Sequence, residues 1–97
     1  MSNFYSDDME RLFMAILALE NMDECYKFFE DVCTVKELQD MSQRLEVARM
    51  LRDGKSYQEV SKETGASTAT ISRVNKCLVY GSGGYSSVLE KLYGKTE

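Results

Sequence analysis

Ninety-seven residues suffice for one domain, but a chain this short buries a smaller share of its surface than a longer one, so its core is marginal and a partner subunit is the obvious reinforcement. Three scattered cysteines, no histidine, and no apolar stretch or secretory leader together exclude a zinc site, a membrane partner and the commonest general base, leaving a non-enzymatic, cytoplasmic protein as the expectation. The formal charge of -4 is divided, because residues 1–40 hold ten acids and three bases whereas residues 41–97 hold nine bases and six acids.

Proline is absent, and the six glycines at 54, 65, 81, 83, 84 and 94 leave long intervals free to be helical. Ser6 followed by Asp7, Asp8 and Glu10 marks a helix start, and Met9, Leu12, Phe13, Ile16 and Leu19 recur at helical spacing, which predicts a first helix to about Glu20. Asn21 or Asp23 caps a shorter second helix that carries Cys25, Phe28, Phe29 and Val32 and ends near Cys33. Thr34 and Glu37 have the spacing of a capping box and open a long third helix. Leu38, Met41, Leu45, Ala48 and Leu51 line one face of it as far as Gly54, with Arg49 and Arg52 complementing the dipole at its end. Ser56 with Glu59 repeats the capping pattern and opens a short fourth helix through Val60, which Gly65 ends a few residues later. Ser67 caps a fifth helix anchored by Ala69, Ile71, Val74 and Leu78, which runs to a flexible Gly/Ser stretch at 81–84. A last short helix over 85–93 carries Val88, Leu89, Leu92 and Tyr93. The reading is all-α, about six helices in a single domain over 1–97.

The informative segment is 56–78, two short helices split by Gly65. A helix-turn-helix needs a tight turn that glycine enters cheaply, small residues where the helices touch, and branched anchors such as Val60 and Ile71 to fix the crossing. Its second helix must present short polar groups outward. Thr68, Ala69, Thr70 and Ser72 meet that need, since hydroxyls reach bases and phosphates and an alanine methyl can approach a thymine methyl. The expected DNA-contacting set is Gln58 and Lys62 on the first helix with Ser67, Thr68, Ala69, Thr70 and Ser72 on the second. Acidic and basic halves are compatible with a duplex meeting the basic one. The plain alternative is an ordinary helical hairpin with solvated serines and threonines, serving as a protein-interaction module without DNA binding, and the net acidity favours it.

With the long helix and the turn both placed, the chain resembles the Trp repressor superfamily, and more closely its TrpR-related proteins of Gram-positive bacteria. The resemblance covers about residues 30–80 and rests on Cys-Thr-Val-Lys-Glu-Leu at 33–38, Gln-Arg-Leu-Glu-Val-Ala at 43–48, Leu51 to Gly54, and Gly-Ala-Ser-Thr-Ala-Thr-Ile-Ser-Arg at 65–73. It implies an interleaved homodimer in which residues 1–53 supply the dimerisation helices and two heads read successive major grooves of double-stranded DNA.

The same resemblance implies an amino-acid-type corepressor such as tryptophan, although neither folding nor DNA contact requires a cofactor. In that family two arginines sandwich the indole and groups at the start of the long helix meet the ligand's amino end; the matching positions here are Arg44, Arg73 and Thr34. A guanidinium can both stack on a ring and hold a carboxylate. Departures surround them. Val74 stands where the family has a glycine beside the ring, which predicts a smaller pocket. Cys77 replaces a serine and Cys33 a leucine, so a hydroxyl contact with the ligand is lost at Cys77. Gln58 aligns with a base-contacting arginine, and glutamine prefers adenine where arginine prefers guanine. A constitutive DNA binder without ligand is the alternative that Val74 motivates.

Overall fold

A computed structural model describes residues 4–96, which form six helices and no strand. They fall into two compact units, one ending at Val35 and one beginning at Lys36.

The first unit holds α1 (Asp7–Leu17) and α2 (Met22–Val32). The Ser6 hydroxyl accepts the Met9 N–H at 3.2 Å, satisfying one of the donors left free at a helix start. The helix ends three residues before the expected Glu20. Ala18 and Leu19 tighten the last turn by bonding to Ala15 and Ile16, while the Glu20 N–H is taken by the Glu24 carboxylate of the next helix at 3.0 Å. Asn21, rather than Asp23, is the cap of α2, accepting from the Glu24 N–H at 2.9 Å. No residue of α1 or α2 is buried. Tyr5 and Phe13 meet edge to face at 5.9 Å, and Phe28 and Phe29 at 5.3 Å, but Met9, Leu12, Phe13, Met14, Leu17, Met22 and Tyr26 all remain exposed.

The second unit is built on α3 (Val35–Arg52), α4 (Tyr57–Thr64), α5 (Thr68–Tyr80) and α6 (Gly84–Tyr93). After α3 the Lys55 N–H reaches the Met50 carbonyl and the Gly54 N–H the Leu51 carbonyl, both at 3.0 Å, the paired bonds of a Schellman stop. The core consists of Val47, Ala48 and Met50 from α3, Val60 from α4, Ala66 from the turn, Ile71 and Val74 from α5, and Leu89 from α6, with Leu51, Leu78 and Tyr85 packed on it. Of the face predicted from Leu38, Met41, Leu45, Ala48 and Leu51, Ala48 and Leu51 meet the core, Met41 and Leu45 stay exposed, and Val47 and Met50 join from beside it.

The end of the unit also differs from expectation. The 81–84 stretch is a short connection: the Gly81 N–H bonds to the Cys77 carbonyl at 2.8 Å, and α6 begins at Gly84. Of the residues expected to pack from α6 only Leu89 is buried, while Val88, Leu92 and Tyr93 are exposed. Arg52 does more than complement a dipole. Its Nη2 donates to the Gly94 carbonyl at 2.7 Å, joining the end of α3 to the end of α6, while its Nε and Nη1 are buried without a hydrogen-bond partner. Beside it the Arg49 guanidinium hydrogen-bonds the Glu46 carboxylate and holds it below the usual carboxylate range, against a smaller opposing effect of burial. No helix among the described residues is long and apolar enough to cross a membrane.

Candidate nucleic-acid interface and the cavity beside it

The joint between α4 and α5 is fixed from within by small side chains. Ser56 caps α4 through the Glu59 N–H at 3.2 Å, and at the other end Gly65 takes φ +74°, a left-handed conformation that side chains with a Cβ adopt at a cost. Its N–H bonds to the Ser61 carbonyl at 2.9 Å. The Ser61 hydroxyl donates to the Ala66 carbonyl at 3.0 Å, and the Thr64 hydroxyl donates to the Val60 carbonyl at 2.7 Å while accepting the Ala66 N–H at 3.1 Å. From α3, Gln43 Nε2 donates to the Thr64 carbonyl at 3.1 Å. Almost every polar group of the turn is thus satisfied locally, so the turn is a rigid element rather than a linker.

Burial then orients α5. Ile71 and Val74 are fully inside, with Leu78 half-buried one turn on, which turns Thr68, Ala69, Ser72 and Arg73 to the surface. Ala69, expected as an anchor, is exposed because it stands off the 71, 74, 78 stripe. Ser67 and Thr70 are partly committed: the Ser67 hydroxyl accepts the Thr70 N–H and donates to the Thr70 hydroxyl, each at 3.1 Å. The Thr70 hydroxyl hydrogen is left for a further acceptor. On α4, Gln58 and Lys62 are exposed. The expected DNA-contacting residues therefore lie on two consecutive helices locked by one turn.

Beside this surface, α3 and the start of α5 enclose a cavity of about 530 Å³ lined by Lys36, Asp40, Gln43, Arg44, Ser67, Ala69, Thr70 and Arg73. Arg44 and Arg73 share it, as the resemblance implied. Lys36, Asp40 and Gln43 were not foreseen, yet with Arg44 they recur at helical spacing, and that polar stripe was the available signal. Lys36 Nζ lies 3.2 Å from both Asp40 carboxylate oxygens.

Two expectations change. Val74 is not among the residues that line the cavity and, at 1% exposure, belongs to the core of the unit. Cys77 is exposed and lines a different, mainly apolar groove with Leu45, Tyr85, Val88 and the 81–84 turn, so it does not join the arginines. Thr34 is exposed and immediately precedes α3. All three cysteines are free, and no group of His, Cys, Asp or Glu among the described residues has the arrangement of a metal site.

Comparison with known proteins agrees with this architecture. The model of the family described as Trp repressor protein matches residues 7–93. Over 85 residues the chain is 53% identical to the uncharacterised protein YerC of Bacillus subtilis (strain 168), covering 88% of this chain and 82% of YerC. A crystal structure of a candidate Trp repressor from Staphylococcus aureus is similar with a TM-score of 0.91 and 47% identity, covering 96% of this chain and 93% of that one. A TrpR-like protein from Eubacterium eligens ATCC 27750 gives a TM-score of 0.90 at 52% identity, over 95% of both chains.

Proposed function

The chain belongs to the Trp repressor family, whose members are DNA-binding transcription regulators and not enzymes, and on that premise we propose that it is a dimeric repressor that occupies a two-fold operator and is switched by a small effector. The observation that carries this reading is the rigid α4–α5 joint. It buries Ile71 and Val74 and holds Gln58, Lys62, Thr68, Ala69 and Ser72 outward as one recognition surface. Thr68, Thr70, Ser72 and Gln58 contact bases or phosphates on this reading, and Lys62 contributes phosphate charge.

Dimerisation is part of the proposal. α1 and α2 leave a row of methionine, leucine and phenylalanine side chains exposed, an arrangement that a second copy of the chain would cover. The effector role is assigned to Arg44 and Arg73, which share the cavity.

The test is retention on random duplex DNA as salt is raised, together with the mass in solution by light scattering. Binding at low salt that falls steeply with a log-linear slope, by a particle of two chains, is the expected result. Lack of retention at low salt points instead to the protein-interaction module, which the net charge of -4 favours.

A further inference from the structure

α5 is the one helix of the six with no acidic side chain, in a chain that carries sixteen. Between Glu63 and Glu90 the sequence has no carboxylate residue, and its only cations there are Arg73 and Lys76. Arg11, Lys27, Lys36 and Arg49 each have a carboxylate within ion-pair distance three or four residues away on their own helix or at its end. The same positions around Lys76 are Ser72, Arg73, Val79 and Tyr80, so its charge is not neutralised along α5. Nor does Lys76 complement the helix dipole, because it stands before the last turn, which contains no basic residue. Burial decides where that charge points. With Ile71 and Val74 in the core and Leu78 half-buried, Ala69, Ser72, Arg73 and Lys76 share one exposed stripe. The stripe is graded: short side chains occupy its first turn, and the long cationic ones follow. Arg73 also lines the cavity, whereas Lys76 serves neither the core nor the α4–α5 turn.

We propose that Lys76 is a phosphate anchor, whose ammonium holds the C-terminal half of α5 against the duplex backbone without discriminating between sequences. This rests on the DNA-reading role given above and adds to it a residue and a direction of entry. The major groove is about 8.5 Å deep, and Lys76 stands two turns, about 10.5 Å of helix rise, behind Ala69. A helix that enters with its short side chains on the base edges therefore carries Lys76 at the level of the rim, where the phosphates lie. A flexible stem ending in a compact charge suits that place, since it reaches a phosphate without demanding one orientation. An acid-free helix in an acidic chain is the arrangement that a polyanion selects, because a carboxylate beside Lys76 would cancel the counterion release that drives binding.

The test is fluorescence anisotropy of the full chain with two labelled duplexes of unrelated sequence, each titrated over a series of sodium chloride concentrations. Lys76→Gln should lower the slope of log affinity against log salt by about 0.9 for each chain engaged, which corresponds to about a five- to tenfold loss at 0.1 M salt. The loss should be the same for both duplexes. Lys91→Gln makes the same change of charge on α6 and should alter affinity by less than about twofold, because exposed charges more than a Debye length apart are screened. Lys76→Arg should keep the parent slope. All three sites are exposed, so urea midpoints should stay at the parent value and separate lost contact from lost fold. Lys76→Gln behaving like Lys91→Gln overturns the anchor and leaves the DNA-reading role standing. A loss confined to one duplex at unchanged slope also overturns it, by making Lys76 a reader of bases. If the parent chain binds neither duplex at low salt, the DNA-reading role falls and the anchor falls with it.

Discussion

Two glycines of the second unit are required for opposite reasons, and replacing each by alanine separates them. Gly65 sits at φ +74° with nothing within 4 Å of an added Cβ, so Gly65→Ala meets no steric obstacle and its whole cost is conformational. A left-handed residue with a Cβ costs about 1–2 kcal/mol, offset by roughly 0.4–1 kcal/mol because alanine has less freedom to lose from the unfolded chain. The expected net loss is therefore about 1 kcal/mol. Gly81 has an ordinary φ of -81°, but a Cβ there would run into the Cys77 backbone carbonyl oxygen, so the chain must shift. That overpacking is expected to cost about 2–3 kcal/mol. Urea unfolding at one fixed protein concentration reads both as a fall in midpoint at unchanged slope, roughly 0.5–1 M for Gly65→Ala and more for Gly81→Ala. Gly65→Asn should lose less than Gly65→Ala, since asparagine tolerates the left-handed region. A Gly65→Ala variant as damaged as Gly81→Ala, or an asparagine variant worse than the alanine one, would refute the reasoning.

Ser67→Ala removes the cap of α5 and should cost about 1 kcal/mol in thermal or urea unfolding, while duplex affinity measured by anisotropy also falls because the first reading turn frays. Arg52→Ala deletes the bond to Gly94 and should raise amide hydrogen exchange across 84–94 well above that of α4, with a stability loss of about 1–3 kcal/mol. Glu46 has its carboxyl pKa lowered by Arg49, so its contribution is present above the unfolded carboxyl value and is lost as pH falls through the lower folded one. Glu46→Gln should accordingly remove a small stabilising increment that is present at about pH 7 and gone at about pH 3, read as a smaller difference in unfolding midpoint between those two pH values than the parent shows.

Local chemistry made the element boundaries legible. Ser6, Ser56 and Ser67 each accept the backbone N–H three residues on, and Gly54 and Gly65 take the positive φ that stops a helix, so those ends could be read from single residues. The close of α1 could not. It depends on the Glu24 carboxylate capturing the Glu20 N–H, a contact that needs the geometry of the next helix. The core face of α3 was half legible: Ala48 and Leu51 of the predicted stripe meet the core, but periodicity alone does not show that Val47 and Met50 are covered while Met41 and Leu45 are not. The cavity was half legible. Arg44 and Arg73 came from motif spacing, but separating Val74 and Cys77 from them required the rotation of α5, which Ile71 and Leu78 fix through packing.

The turn between α4 and α5 spends its polar groups on itself: Ser61, Thr64 and Gly65 bond within it, and Gln43 reaches it from α3. None of Gln58, Thr68 or Ser72 takes part in that network or in the core. On the proposed reading, the residues that choose a base sequence are therefore energetically separate from those that hold the fold, and exposed substitutions of this kind change stability by only about 0.5 kcal/mol. Operator preference can drift through those three positions without threatening the scaffold. Proteins with superimposable backbones can thus come to control unrelated promoters, and a reading head of this design can be given a new target by altering its surface alone.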